Sequence, residues 1–204
     1  MVRRKRIEGL AERTEGGRFL IIERWPWSPF PGDFLEAYVG HLLCALFLSG
    51  YRGCALTGKG GKKEAEKDPT RIPLALWRWS APPRPEAARQ FLPYFRAFRK
   101  GRRAPLPFDP EASRVFADTL RENAGQAGSP AWSQASGKAR ELLLSSRVPP
   151  FNARSTFFDP RSRSPFWTAL AFSGRDLPGE IAFGLWSLRL WDPLLANMTE
   201  EGTS

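Results

Sequence analysis

The chain has 204 residues, 42% of them hydrophobic and 25% charged, so its composition is that of a globular protein and excludes a disordered one. Its net charge of +10 favours a polyanionic partner, either nucleic acid or an anionic membrane face. Two cysteines and one histidine are too few for a disulfide framework or a Cys/His zinc site. We expect no metal, no cofactor and an intracellular location, cytoplasmic or nuclear.

The two ends of the chain differ in composition from its middle. Residues 1–17 carry the basic cluster RRKR and end in two glycines, which predicts a basic flexible arm. Residues 197–204 are polar and acidic, which predicts a flexible tail. We expect residues 18–196 to form a single globular α+β domain.

The first predicted elements are a strand over residues 19–25 and a helix over residues 33–50. Asp33 is a suitable N-cap, and Gly50 can adopt the left-handed conformation that ends a helix. Residues 34–49 are apolar on all sides, which is typical of a helix buried in protein or in lipid. The run is shorter than the roughly 20 residues of a membrane span, so a core helix is favoured. A shallow membrane segment stays as the alternative.

Two further strands are predicted at residues 51–57 and 72–80. In an extended chain Trp77 and Trp79 share one side and Arg78 lies opposite. Two tryptophans at this spacing could stack on the bases of a single strand. Burial in the core is the alternative, and it is the commoner fate of such residues.

Residues 85–100 predict a helix that starts at Pro85 and is kinked near Pro93. Three phenylalanines share one of its faces, at positions 91, 95 and 98. A basic shoulder accompanies them and makes this the best candidate for binding a polyanion; an amphipathic core helix with a solvated basic face is the alternative. The basic residues are Arg89, Arg96, Arg99, Lys100, Arg102 and Arg103.

Two more helices are predicted at residues 109–123, with Asp109 as N-cap, and at residues 129–144. Residues 149–165 are irregular and interleave arginines with aromatics, as a groove for a single-stranded nucleic acid requires. A packed loop is the alternative. The candidate residues of this stretch are Arg154, Phe157, Arg161 and Arg163.

The last predicted elements are residues 166–173 and 180–191, which carry apolar residues at both odd and even positions. This pattern predicts two buried strands that pair as a hairpin, with a helix pair as the alternative. The element order as a whole predicts an α+β fold in which an antiparallel sheet packs with about four helices.

Motifs of catalysis are weak in this chain. His41 lies in the most apolar helix and has no second histidine to partner it, so a neutral core histidine is expected. No G-x-S-x-G motif and no carboxylate cluster with metal spacing is present, and we expect no catalytic residues.

The function predicted from the sequence is therefore binding. We expect a non-enzymatic accessory or regulatory protein that binds nucleic acid, RNA or single strands, through residues 89–103 and 154–163. The alternative is a protein-interaction adaptor of the viral accessory type, associated with a membrane through helix 34–49. A membrane surface is the less favoured partner.

Overall fold

The computed structural model describes residues 11–14, 17–23, 29–59, 74–103, 106–123, 129–145 and 180–203. Within these residues the protein is α+β, with five strands and five helices, one helix more than predicted. The strands are β1 (Ala11–Thr14), β2 (Gly17–Glu23), β3 (Tyr51–Lys59), β4 (Leu74–Ser80) and β5 (Thr199–Thr203). The helices are α1 (Pro31–Phe47), α2 (Arg84–Gly101), α3 (Pro110–Glu122), α4 (Pro130–Ser145) and α5 (Glu180–Ala196).

The strands form one sheet in the order β1-β2-β3-β4-β5. The sheet is mixed, which corrects the antiparallel prediction, because β2 and β3 run parallel and place Leu20 opposite Cys54. Helix α1 connects these two strands, and such a crossover allows the chain to return in the same direction. The other neighbours are antiparallel, as where Cys54 lies opposite Trp79.

Helix α1 is the core helix that its composition predicts. Phe34, Tyr38 and Leu42 are buried along it. The predicted N-cap is wrong by three residues, because the cap is Phe30, whose backbone N–H donates to Asp33 Oδ2 over 2.9 Å. Asp33 thus compensates the helix start from inside the first turn. Gly50 has a φ of 69°, the left-handed conformation that was predicted, in the turn before β3.

The contacts of the chain define two compact units, and the predicted single domain stays a prediction. The first unit comprises residues 1–96 and 193–204, and its core contains α1 and the sheet. Aromatic rings dominate this core: the Phe34 and Trp77 rings meet edge to face with centroids 5.0 Å apart. The Trp79 indole N–H donates to the backbone carbonyl of Leu194 over 3.1 Å, which satisfies its buried donor.

The second unit, residues 97–192, has a helical core. Asp109 caps α3 as predicted, since its carboxylate accepts from the backbone N–H groups of Glu111 and Ala112. The Phe116 ring of α3 meets the Trp132 ring of α4 edge to face, with centroids 4.9 Å apart. The buried cluster of this unit is Ala112, Phe116, Leu120, Trp132, Ala135, Ala139 and Phe183.

Helix α5 corrects the prediction of a strand at residues 180–191. Its buried residues include Phe183, Ser187 and Leu190, which recur every three to four positions as a helix requires. Apolar residues occupy both odd and even positions because Trp186 and Trp191 are also buried. On the helical wheel they lie beside the other buried residues. The partner strand predicted at residues 166–173 lies outside the described residues.

Both segments predicted to be flexible contain strands. Strand β1 lies within the predicted arm and pairs with β2, placing Ala11 opposite Leu20. Strand β5 lies within the predicted tail and pairs with β4, placing Glu201 opposite Leu76. Backbone hydrogen bonding to a neighbouring strand allows such polar sequences to form strands although they bring few apolar side chains, and their flexibility stays a prediction.

Candidate nucleic-acid interface

Helix α2 exposes the aromatic face that its sequence predicts. The residues it buries include Ala87, Tyr94 and Ala97, and Phe98 lies one turn after Tyr94, at the edge of this buried side. Phe95 is 44% exposed and Phe98 is 64% exposed. Two phenylalanine rings therefore stand at the helix surface, next to the buried residues of α2.

Basic side chains accompany these rings on the last two turns of α2 and the turn that follows. Residues three and four apart on a helix are neighbours, so Arg99 lies beside Phe95, and Lys100 beside Arg96. The backbone N–H of Arg102 donates to the Phe98 carbonyl over 3.1 Å and holds the chain at the helix end. We call residues 95–103 the basic-aromatic end of α2. Its exposed cations are Arg96, Arg99, Lys100, Arg102 and Arg103.

Arg89 belongs to the same predicted set, and its partner is a carboxylate one turn away on its own helix. Its guanidinium forms an ion pair with Glu86, with Nη2 and Oε2 2.6 Å apart. The hydrogen bond from Arg89 holds the pKa of Glu86 below its usual value. The charge of Arg89 is therefore compensated within its own helix, and Arg89 is not part of the basic-aromatic end.

The two tryptophans predicted as a stacking platform lie in the core. Trp77 is 7% exposed and Trp79 is 1% exposed, whereas Arg78 between them is exposed on the opposite side of the strand. The face of the sheet that carries both rings is covered, as the contact between Trp77 and Phe34 of α1 shows. The rings are not accessible to a base, and core packing, the alternative fate, is the one observed.

The remaining predicted site residues lie outside the described residues. These are Arg154, Phe157, Arg161 and Arg163.

His41 has the structural role expected of it. Its Nδ1 lies 2.8 Å from the Tyr51 hydroxyl, and the side chain is buried. Burial lowers the pKa of His41 to about 4, although a hydrogen bond to the Ser80 backbone acts in the opposite direction. The ring is therefore neutral at pH 7 and withdrawn from solvent.

Two further features concern the described part of the chain alone. It contains no group of three or more His, Cys, Asp or Glu side chains that could hold a metal ion. None of its helices combines the length and the apolar character needed to cross a membrane.

Sequence reasoning missed one basic feature, at Trp186 of α5. Lys100 Nζ lies 5.4 Å from the centroid of the Trp186 ring, and Arg189 Cζ lies 5.6 Å from it. The signal was present as a tryptophan and an arginine three residues apart, but it is visible only if residues 180–191 are assigned to a helix.

Comparison with known proteins gives one family. No curated protein matches the chain. A family model described as the RecC C-terminal domain matches residues 7–121, more than half of the chain, and this range includes the whole of α2. The match indicates a nucleic-acid-associated domain related to DNA repair. The chain belongs to the RecC C-terminal domain family.

Proposed function

We propose that this protein is a non-enzymatic accessory domain that binds single-stranded nucleic acid through the basic-aromatic end of α2. The observation that carries the proposal is the joint exposure of Phe95 and Phe98 with five cations on one short stretch of helix and turn. Cations bind the phosphates of a strand, and ring faces stack on its unpaired bases.

The arrangement of charges favours an anionic ligand. Arg96 and Lys100 are four residues apart, and like charges at this spacing destabilise a helix by about 0.2–0.5 kcal/mol. The negative end of the helix dipole offsets part of this cost, because the cations lie in the last turns. A bound phosphate backbone would remove the remaining repulsion between Arg96 and Lys100. A surface with a structural role alone gains nothing from two like charges at this spacing.

The exposed rings favour a single strand over a duplex. In a duplex the bases are stacked on each other and their faces are not available to a side chain. On an unpaired strand each stacked base contributes about 1–3 kcal/mol when an aromatic side chain receives it. Membership of a family related to DNA repair favours DNA over RNA as the natural strand.

The accessory, non-enzymatic role is supported by the position of His41, the chain's single histidine, which is buried in the core. A ring with a pKa of about 4 that is buried against Tyr51 cannot reach a substrate as a general base. An intracellular location belongs to the same proposal, because the proposed partner is nucleic acid.

The test is a triple substitution, Arg96→Glu with Arg99→Glu and Arg103→Glu, assayed by fluorescence anisotropy on labelled single-stranded oligonucleotides of DNA and RNA. The protein should be purified after nuclease treatment. We expect a loss of affinity of more than 100-fold at about 0.1 M salt, because three attractive contacts become repulsive.

The matched control carries the same change in net charge elsewhere: Arg84→Glu, Lys59→Glu and Lys138→Glu, all at exposed positions. It should keep most of the affinity, losing only the long-range part of the attraction. Equal losses in the two triple variants would mean that net charge, and not the basic-aromatic end, determines binding, and the proposed location would be wrong.

A protein-interaction adaptor is the second candidate, because α5 exposes Ile181 and Leu185 one helical turn apart. A partner held by this apolar strip would stay bound to the Arg96, Arg99, Arg103 triple variant and would be lost on Ile181→Asp. Wild-type protein that fails to bind any strand at low salt would favour this candidate.

A further inference from the structure

We propose that Arg189 of α5 is a further nucleic-acid-binding residue, which together with Lys100 holds the phosphate backbone of a single strand over the ring of Trp186. The inference deepens the proposed function and rests on it. It assigns a role to a helix that sequence analysis placed in a hairpin, and to a residue outside the predicted basic shoulder.

The geometry is that of one aromatic ring shared by two cations. Lys100 Nζ and Arg189 Cζ lie 5.4 Å and 5.6 Å from the centroid of the Trp186 ring, within the range of a cation–π contact. The two charges are therefore no more than about 11 Å apart. Trp186 itself is 9% exposed, whereas Lys100 and Arg189 are both exposed.

The charges at Trp186 are not compensated by any carboxylate that the structure describes. Another cation–π contact of the same unit gives the comparison: Arg114 Cζ lies 5.7 Å from the ring centroid of Trp191. Arg114 also forms an ion pair with Asp118, with Nε and Oδ2 3.4 Å apart. Within the described ranges, neither Lys100 nor Arg189 forms an ion pair of this kind. Among the described residues, the site at Trp186 therefore holds two positive charges without a paired carboxylate.

Two like charges held close to each other repel, and a bound anion converts this repulsion into attraction. A phosphate backbone suits the pair because it carries a negative charge at every nucleotide, so one strand can meet both cations. The guanidinium of Arg189 can bind a phosphate through two parallel hydrogen bonds. The Trp186 ring restricts both side chains beforehand and lowers the entropy cost of binding.

Lys100 makes this site continuous with the basic-aromatic end, since it belongs to both. A strand bound along the basic-aromatic end would lead its phosphates past Lys100 to Arg189. The ring of Trp186 positions the cations and does not receive a base, because it is almost completely buried.

The test compares Arg189→Gln with Arg189→Lys by anisotropy on a fluorescein-labelled thymidine oligonucleotide over a salt series. Losing one phosphate contact should reduce the slope of log K against log salt by about 0.7, which is about a five-fold loss of affinity at 0.1 M salt. Arg189→Lys keeps the charge and should keep most of the slope. Lys138→Gln, at an exposed position of α4, should leave both affinity and slope unchanged.

The possible results separate the inference from the proposed function. A wild-type affinity and slope in Arg189→Gln, with binding lost in the Arg96, Arg99, Arg103 triple variant, would overturn the inference and leave the proposed function standing. A weaker affinity with an unchanged slope would also overturn it, since Arg189 would then act through the packing of Trp186 alone. No binding by the wild-type protein would overturn both.

Discussion

Strand β4 and helix α2 both interleave aromatic and basic residues, and the structure uses the two sequences in opposite ways. In β4 the order is Trp77, Arg78, Trp79, and in α2 Phe95 and Phe98 alternate with arginines. The strand sends alternate side chains to opposite faces, so both tryptophans enter the core and Arg78 is exposed alone. The helix places Arg99 one turn after Phe95, so a ring and a cation meet at an exposed surface.

The difference shows that aromatic and basic residues interleaved in the sequence do not by themselves form a binding surface. The period of the backbone decides whether rings and cations separate or meet. The tryptophans of β4 should therefore contribute to stability and not to binding, and the exposed rings of α2, Phe95 and Phe98, to binding and not to stability. Substitutions at Trp79 and Phe98 test this division, and one at His41 tests the core beside Trp79; they follow from the largest expected effect to the smallest.

Trp79→Ala should lower the free energy of unfolding by about 3–5 kcal/mol, because it leaves a large cavity at a buried ring and removes the hydrogen bond to Leu194. Urea denaturation followed by circular dichroism measures the change. Trp79→Phe is the matched variant: it keeps an aromatic ring but loses the indole N–H, and should cost less.

If Trp79→Ala instead left the unfolding midpoint unchanged and weakened binding of a single strand, the assignment of β4 to the core would be contradicted. At concentrations of urea where Trp79→Phe stays folded, its affinity for the oligonucleotide should equal that of the wild-type protein.

His41 is buried in the core of the first unit, where its ring stacks on Tyr38 with centroids 5.7 Å apart. Its pKa is about 4 in the folded protein and is normally 6.5, so the unfolded state takes up the proton first. The stabilisation is complete above pH 6.5 and is lost as the pH falls through 4, by about 3 kcal/mol in total.

Urea denaturation between pH 7 and pH 4 measures this loss. Carboxylates titrate in the same range, so the comparison is with His41→Asn, which has no ionisable ring at this position. Its stability is lower at pH 7 but should depend less on pH than that of the wild-type protein. Parallel pH profiles for the two proteins would show that His41 is not held neutral by burial.

Phe98→Ala should weaken binding of a single strand by about 1–3 kcal/mol, the contribution of one stacked base. Its effect on the free energy of unfolding should stay within about 0.5 kcal/mol, because the ring is exposed. Phe98→Trp enlarges the ring face and should retain or increase affinity. A large loss of stability in Phe98→Ala would show that the ring packs and does not bind.

Much of the fold follows from local sequence signals. Helix α1, strands β3 and β4, and helices α2 to α4 lie close to where apolar periodicity and capping residues predict them. Asp109 is an example. Its carboxylate, placed before Pro110 and Glu111, accepts from the free backbone N–H groups at the start of α3, and this capping depends on local sequence and not on distant contacts.

The features that the sequence did not predict depend on distant parts of the chain. The parallel pairing of β2 with β3 is a property of the crossover and not of either strand. The pairing of β5 with β4, which precedes it by more than a hundred residues, is likewise not visible in the sequence of either strand. Helix α5 was misassigned because a helix buried on several sides has no polar stripe to reveal its period.

The candidate site was predictable only where its residues belong to one element. Phe95, Arg96 and Arg99 lie on one helix, so their proximity follows from sequence spacing alone. The burial of Trp77 and Trp79, and the pairing of Lys100 with Arg189 at Trp186, depend on tertiary contacts that no spacing reports.

The central claim is that the basic-aromatic end of α2 binds an unpaired strand. The most direct test is the affinity of the wild-type protein for a single-stranded thymidine oligonucleotide and for a duplex of the same length, measured over one salt series. With five exposed cations engaged, log K for the single strand should fall against log salt with a slope of roughly −3.5, and the single strand should bind tighter than the duplex at every salt concentration. A flat salt dependence, or a duplex that binds as tightly as the single strand, would contradict the account.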